Sequence, residues 1–158
     1  MTANSFDSGY QHTQRGTLIL AVTLGLAMVF CGLGFSIGLM KSLWISLPVL
    51  LAVAWLFRSL TIEITDRELR WRFGPGLIRK RVPLAEITAA EPVKTNFLAG
   101  WGIHWSRFGW LYNVSGFDAV AVTLRGGKRF ALGTDEPQAL AARLTEAVQR
   151  NAPAGFKA

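Results

Sequence analysis

Residues 61–83 read TIEITDRELRWRFGPGLIRKRVP, and this stretch decides what kind of domain the chain builds. In residues 61–65 the apolar positions alternate, so that Ile62 and Ile64 fall on one side of an extended chain. Asp66-Arg67 reads as a tight turn. Beyond it Leu69, Trp71 and Phe73 point one way while Arg70 and Arg72 point the other, the pattern of a strand with one buried and one solvated face. Gly74-Pro75-Gly76 marks the next reversal, and residues 77–83 follow as a further extended run carrying Arg79-Lys80-Arg81. The expectation is a set of antiparallel strands with an apolar inside and a basic outside.

Toward the N-terminus the character changes at once, with no Gly, Pro or Ser-rich linker after Arg58. Residues 17–40 are 24 positions without a charge, roughly 36 Å of helix, enough to cross a bilayer. Lys41 interrupts, and residues 42–57 add 16 uncharged positions, about 24 Å, so a second crossing must borrow residues on both sides. We expect a two-helix transmembrane hairpin over 17–60, with its turn near 38–43, Pro48 in the first turns of the second helix, and Trp44 and Trp55 at opposite interfaces. The apolar run is too long for a secretory leader, and Arg15 is the only fixed positive charge before it.

Arg58, Arg67, Arg70 and Arg72 follow the second helix, while Lys41 stands alone between the two. The positive-inside rule therefore puts both termini in the cytoplasm, as in a multi-pass protein of the inner (cytoplasmic) membrane. Residues 1–16 read as a disordered lead. Gly34 and Gly38 make a GxxxG spacing, preceded by Ala21 and Gly25, which serves either packing within the hairpin or association with another copy.

Toward the C-terminus, residues 87–93 form a weaker strand candidate. Residues 118–124 and 129–133 alternate clearly around Gly126-Gly127, a second hairpin. The period changes from 2 to 3.6 only near the end, where Leu140, Leu144, Ala147 and Val148 recur at helical spacing. Asp135 reads as the N-cap, Pro137 suits the first turn, and Gln138 completes a capping box. The soluble domain is thus expected over 61–150, with 151–158 as a flexible tail.

The stretches TIEITDRELRWRFGPGLIRKRVPLAEI and GWLYNVSGFDAVAVTLRGGKRFALGTDEPQALAARL, in that order and ending in a helix, resemble the bacterial pleckstrin-homology-like domains found behind short membrane hairpins. The resemblance covers about residues 60–150. It implies an α+β, mainly β fold: a bent antiparallel barrel or sandwich capped by a C-terminal helix. It also implies a platform that binds lipids or proteins, and it assigns no ligand-binding residue in this chain.

Charge and motif content bound the function. Of 17 Lys and Arg residues, 15 lie from Arg58 onward, against nine of the ten acidic residues, a formal charge of +6 for that portion. Cys31 is the single cysteine, so neither an intramolecular disulfide nor a cysteine metal cluster can form. His104 is the only histidine after the hairpin, and no GxSxG, HExxH, phosphate-binding loop or CxxC spacing occurs. The expectation is a non-enzymatic protein with no cofactor and no metal.

Two sets of residues stand out as candidate sites. Arg58 with Arg70, Arg72, Arg79, Lys80 and Arg81 lies just past the membrane segment, where it would meet anionic headgroups or keep a sheet soluble and its edge unpaired. Residues 97–112, FLAGWGIHWSRFGWLY, concentrate aromatics that are either core or an exposed surface for the membrane interface or a partner, with Trp101, Trp105, Phe108 and Trp110 as the candidates. A tethered domain meets lipid constantly and nucleic acid rarely, so nucleic acid is not expected. The partners expected are anionic lipid and an unidentified protein, with a homo-oligomer also open. The other reading is a small accessory subunit of a transport or secretion complex, assembled through Gly34 and Gly38.

Overall fold

The computed structural model describes residues 9–36, 40–95 and 102–151. Strands β2 (Ser59–Ile64), β3 (Glu68–Phe73) and β4 (Arg79–Pro83) form the antiparallel meander expected from residues 61–83. A fourth strand completes their sheet from an unexpected place. Tyr10–Arg15, in the segment read as a disordered lead, is strand β1, paired with β2 from Tyr10↔Ile64 to Arg15↔Ser59, and the sheet order is β1-β2-β3-β4.

Helices α1 (Thr17–Ser36) and α2 (Met40–Leu56) therefore lie inside the connection between two neighbouring strands. Chain leaving β1 passes through both helices and returns beside its starting point, where the Gly16 amide donates to the Arg58 carbonyl at 2.8 Å. The β domain does not merely follow the helices; it closes around their base.

Three contacts lock that base. A Cβ on Gly16 would collide with the Phe57 carbonyl oxygen. Gly74, with φ of +42°, donates its amide to the Ser59 carbonyl, and a Cβ there would lie 2.5 Å from the Leu56 carbonyl oxygen, so the β3–β4 turn is pressed under the last turn of α2. Phe57 meets Phe73 edge-on at 5.2 Å.

Helix α1 is long and apolar enough to cross a membrane. Within Thr17–Gly34 only 11% of residues are buried, so α1 is not a core helix of the domain. The apolar part of α2, Trp44–Leu56, is shorter. Trp44 and Trp55 are exposed, but eleven positions of helix separate them by about 16 Å. That is half a hydrocarbon core, so a straight α2 does not carry them to opposite interfaces.

The second sheet contains β5 (Ile87–Lys94), β6 (Gly102–Ser106), β7 (Gly109–Asn113), β8 (Asp118–Leu124) and β9 (Arg129–Gly133) in the order β5-β8-β9-β7-β6. It is mixed instead of purely antiparallel. After β7 the chain steps over one strand position through 114–117, and β9 folds back into the gap, antiparallel to β8 and parallel to β7. Helix α3 (Pro137–Asn151) packs Leu140, Ala141, Leu144 and Ala147 into the space between the sheets.

At the start of α3 the Leu140 amide donates to the Glu136 carbonyl, which moves the cap position from Asp135 to Glu136 and leaves Pro137 as the first helical residue. The Asp135 carboxylate is engaged elsewhere, 2.5 Å from His12 Nε2 on β1. The core between the sheets joins Leu60, Ile62, Leu69 and Phe73 to Val120, Val122 and Leu132, and Trp71 stacks on Phe130 at 5.0 Å. Burying each such side chain stabilises the fold by roughly 1.5–3 kcal/mol. The whole is an α+β protein of two sheets with a C-terminal helix.

Candidate interaction surfaces

The strand directions give the domain two ends. One end surrounds the base of the helices. It contains the β3–β4 turn under α2 and the β7–β8 connection, where the buried Gln14 side chain donates to the Ser115 carbonyl at 3.0 Å and the Thr17 and Ser115 hydroxyls lie 3.5 Å apart. The other end carries the β6–β7 and β8–β9 turns. Strand β7 separates the two by four residue steps, about 13 Å.

The basic set divides between two faces. Across β3 and β4, Arg70 registers with Arg81 and Arg72 with Arg79, so these four exposed arginines form a two-by-two array on the outer face of the first sheet. Arg70 also pairs with Glu68 through Nε at 2.7 Å. Lys80 does not belong to the array, because it registers with the inward Trp71 and its Nζ sits 5.3 Å from the Tyr112 ring centroid. Arg58 is exposed at the base of α2, and Arg15 is exposed at the end of β1 on the same outer side as Thr13, which bonds Thr61 at 3.0 Å.

Like charges directly opposite on a sheet destabilise it. A face kept merely soluble would gain by alternating signs, as Glu63 opposite Arg70 does one strand away. Two consecutive like-charged pairs nevertheless stand on this face, with Glu68 and Glu63 beside Arg70. Strand β4 is also the edge of its sheet, where basic side chains discourage pairing with another chain.

The aromatic stretch resolves residue by residue. Tyr112 is buried against Trp71 at 5.2 Å, and Phe108 packs beside Leu111, Ala119 and Ala131 under the Arg107 guanidinium, 4.6 Å from its ring. Trp105 and Trp110 register across β6 and β7, meet edge-on at 5.8 Å and remain 71% and 47% exposed. They continue the inner aromatic layer of Phe130 and Tyr112 out to β6, the last strand of the sheet, at the end remote from the helices. Trp101 lies outside the described residues.

In the helices, Gly34 is buried and Gly25 is half-buried with open space where its Cβ would be, while Gly38 lies outside the described residues. Burial pushes the His104 imidazole below its usual pKa. A cavity of about 380 Å³ lies between Tyr10 on β1 and Arg143, Glu146 and Arg150 on α3. The Tyr10 hydroxyl is pushed up to about 12 by burial and then by the Glu136 and Asp135 carboxylates, so the phenol stays protonated at neutral pH. Among the described residues no group of three or more His, Cys, Asp or Glu side chains is placed to hold a metal ion. No protein-family model matches this chain, and no curated protein matches it.

Sequence reasoning missed Arg15, which only joins the domain because β1 does. It also missed the exposed apolar residues Leu77 and Phe117 at the helix end. The alternation of YQHTQR was present as a signal for β1, but its inward positions Tyr10, His12 and Gln14 are largely polar and carry little hydrophobic pattern.

Proposed function

We propose that this protein is a membrane-anchored, non-enzymatic interaction module of pleckstrin-homology type. Its helical hairpin crosses the cytoplasmic membrane twice and leaves both termini and the β domain on the cytoplasmic side. The arginine array with Arg58 and Arg15 meets anionic headgroups and orients the domain, and the far end docks a protein partner through Trp105 and Trp110, with Lys80 on the same inner side.

The observation that carries this reading is the pairing of β1 with β2 around the inserted helices. It gives the domain one end at the helix base and one end remote from it. Exposed aromatics at the remote end are poorly placed for the bilayer interface and well placed for a protein, since large amphipathic rings anchor such contacts.

Site-specific photo-crosslinking in cells tests the docking end. A photoreactive residue at position 110 should give one discrete protein adduct, and Trp105→Ala should abolish it while the domain stays folded. Adducts confined to lipid, or an identical adduct pattern from an exposed position on α3 such as Gln149, would sink the partner half of the reading.

A further inference from the structure

Outside the helices, the exposed large apolar side chains among the described residues are Leu77, Phe117, Trp105 and Trp110. A single exposed leucine or phenylalanine is ordinary. What is not ordinary is where these fall. The tryptophan pair occupies the remote end, and both Leu77 and Phe117 occupy the end from which the helices emerge.

Leu77, 72% exposed, follows the Gly74-Pro75-Gly76 turn, whose first glycine backs onto the Trp55 and Leu56 carbonyls of α2. Phe117, 41% exposed, closes the β7–β8 connection, whose Ser115 hydroxyl faces Thr17 at the start of α1. The Phe117 carbonyl accepts from the Thr95 amide at 2.6 Å and from the Thr95 hydroxyl at 3.0 Å, so the tip is held in place. One turn from each sheet thus stands against each helix, with an apolar side chain at its tip. Arg58 and Arg15 are exposed at the same level, and the Arg72–Arg79 pair lies just beyond the β3–β4 turn.

We propose that these two turns are a membrane-inserting rim: Leu77 and Phe117 enter the bilayer at the headgroup and acyl boundary beside the helices, continuing the apolar surface of α1 and α2 onto the domain. The flanking arginines then lie at phosphate level, the placement in which long basic side chains are most favourable. The rim fixes the tilt of the domain on the bilayer, which two helices alone leave free. This inference rests on the reading that the helices are in a membrane.

Nitroxide labelling of the full chain in nanodiscs of phosphatidylcholine and phosphatidylglycerol separates the two. A label on the native Cys31, exposed on α1, reports the helix. Single-cysteine variants Leu77→Cys, Phe117→Cys and Lys128→Cys, made in a Cys31→Ser background, report the two rim positions and the remote β8–β9 turn. Relative accessibility to oxygen and to a water-soluble nickel chelate should place position 31 in the hydrocarbon, positions 77 and 117 within about 5–10 Å of the headgroup boundary, and position 128 in water.

If position 31 is in the hydrocarbon while 77 and 117 are as accessible to nickel as 128, the rim is overturned and the membrane reading stands. If position 31 is itself accessible to nickel, both fall. Should Phe117→Cys fail to fold, the label at the already exposed Leu77 decides alone.

Discussion

His104 sits on β6 opposite the fully buried Leu111, and its burial disfavours the imidazolium. The unfolded chain has no such bias, so between the lowered folded value and the unfolded value near 6.5 it binds more protons than the folded protein. Stability contributed by neutral His104 is therefore complete above about pH 6.5 and declines as the pH falls below it. Thermal melts of the full chain in detergent should show a lower midpoint at pH 5.5 than at pH 7.5, and His104→Gln should flatten that slope. A slope unchanged by the substitution would locate the pH sensitivity in another group. Single positions were legible where the alternation was strong, as at Leu69, Trp71 and Phe73. In the run Arg79-Lys80-Arg81 the strand period already separates Lys80 from its neighbours, but a cluster in sequence hides that it is split across two faces in space.

Among the elements, six of the nine strands in the described residues and the last helix follow from pattern alone, and the other three do not for two physical reasons. Strand β1 has polar inward positions, because Gln14 is satisfied by Ser115 and His12 by Asp135 and not by apolar packing. Strands β6 and β7 carry apolar or aromatic residues on both faces, which erases the alternation: Leu111 serves a small outer cluster while Tyr112 serves the main core. The helices separate their own small residues in the same way. Gly34→Leu places a large side chain at a buried position and should destabilise the hairpin by about 1–3 kcal/mol, seen as a lower melting temperature in detergent. Gly25→Leu, where a Cβ meets nothing within 4 Å, should leave that temperature unchanged. Should Gly25→Leu instead dissociate a complex isolated from membranes while the chain stays folded, assembly through the outer side of α1, the accessory-subunit reading, gains its support.

For the whole molecule, the pairing of Arg15 with Ser59 makes the helical segment separable from the fold. Joining Gly16 to Arg58 through Asn-Gly in place of 17–57 turns β1 and β2 into an ordinary two-residue hairpin, and the product should be soluble in the absence of detergent and melt cooperatively. A fragment beginning at Ser59 keeps every strand of the expected 61–150 domain but lacks β1 and the packing of Tyr10 against the core. It should be less stable by about 2 kcal/mol and, with β2 exposed as an edge, prone to associate. Equal stability of the two products would mean that β1 is an ornament of the domain and not part of it.

The same pairing also imposes an order on synthesis. The segment of β1 is made before both helices and its partner after them, so the strand waits unpaired until the helical segment is complete. The sheet can close only if the end of α2 has come back beside the start of α1. On the proposed reading of the helices as a membrane hairpin, a chain with one crossing would leave β1 and β2 on opposite faces of the bilayer, with β2 as a bare sheet edge. Completion of the sheet is then a built-in check that the excursion through the two helices has closed on itself.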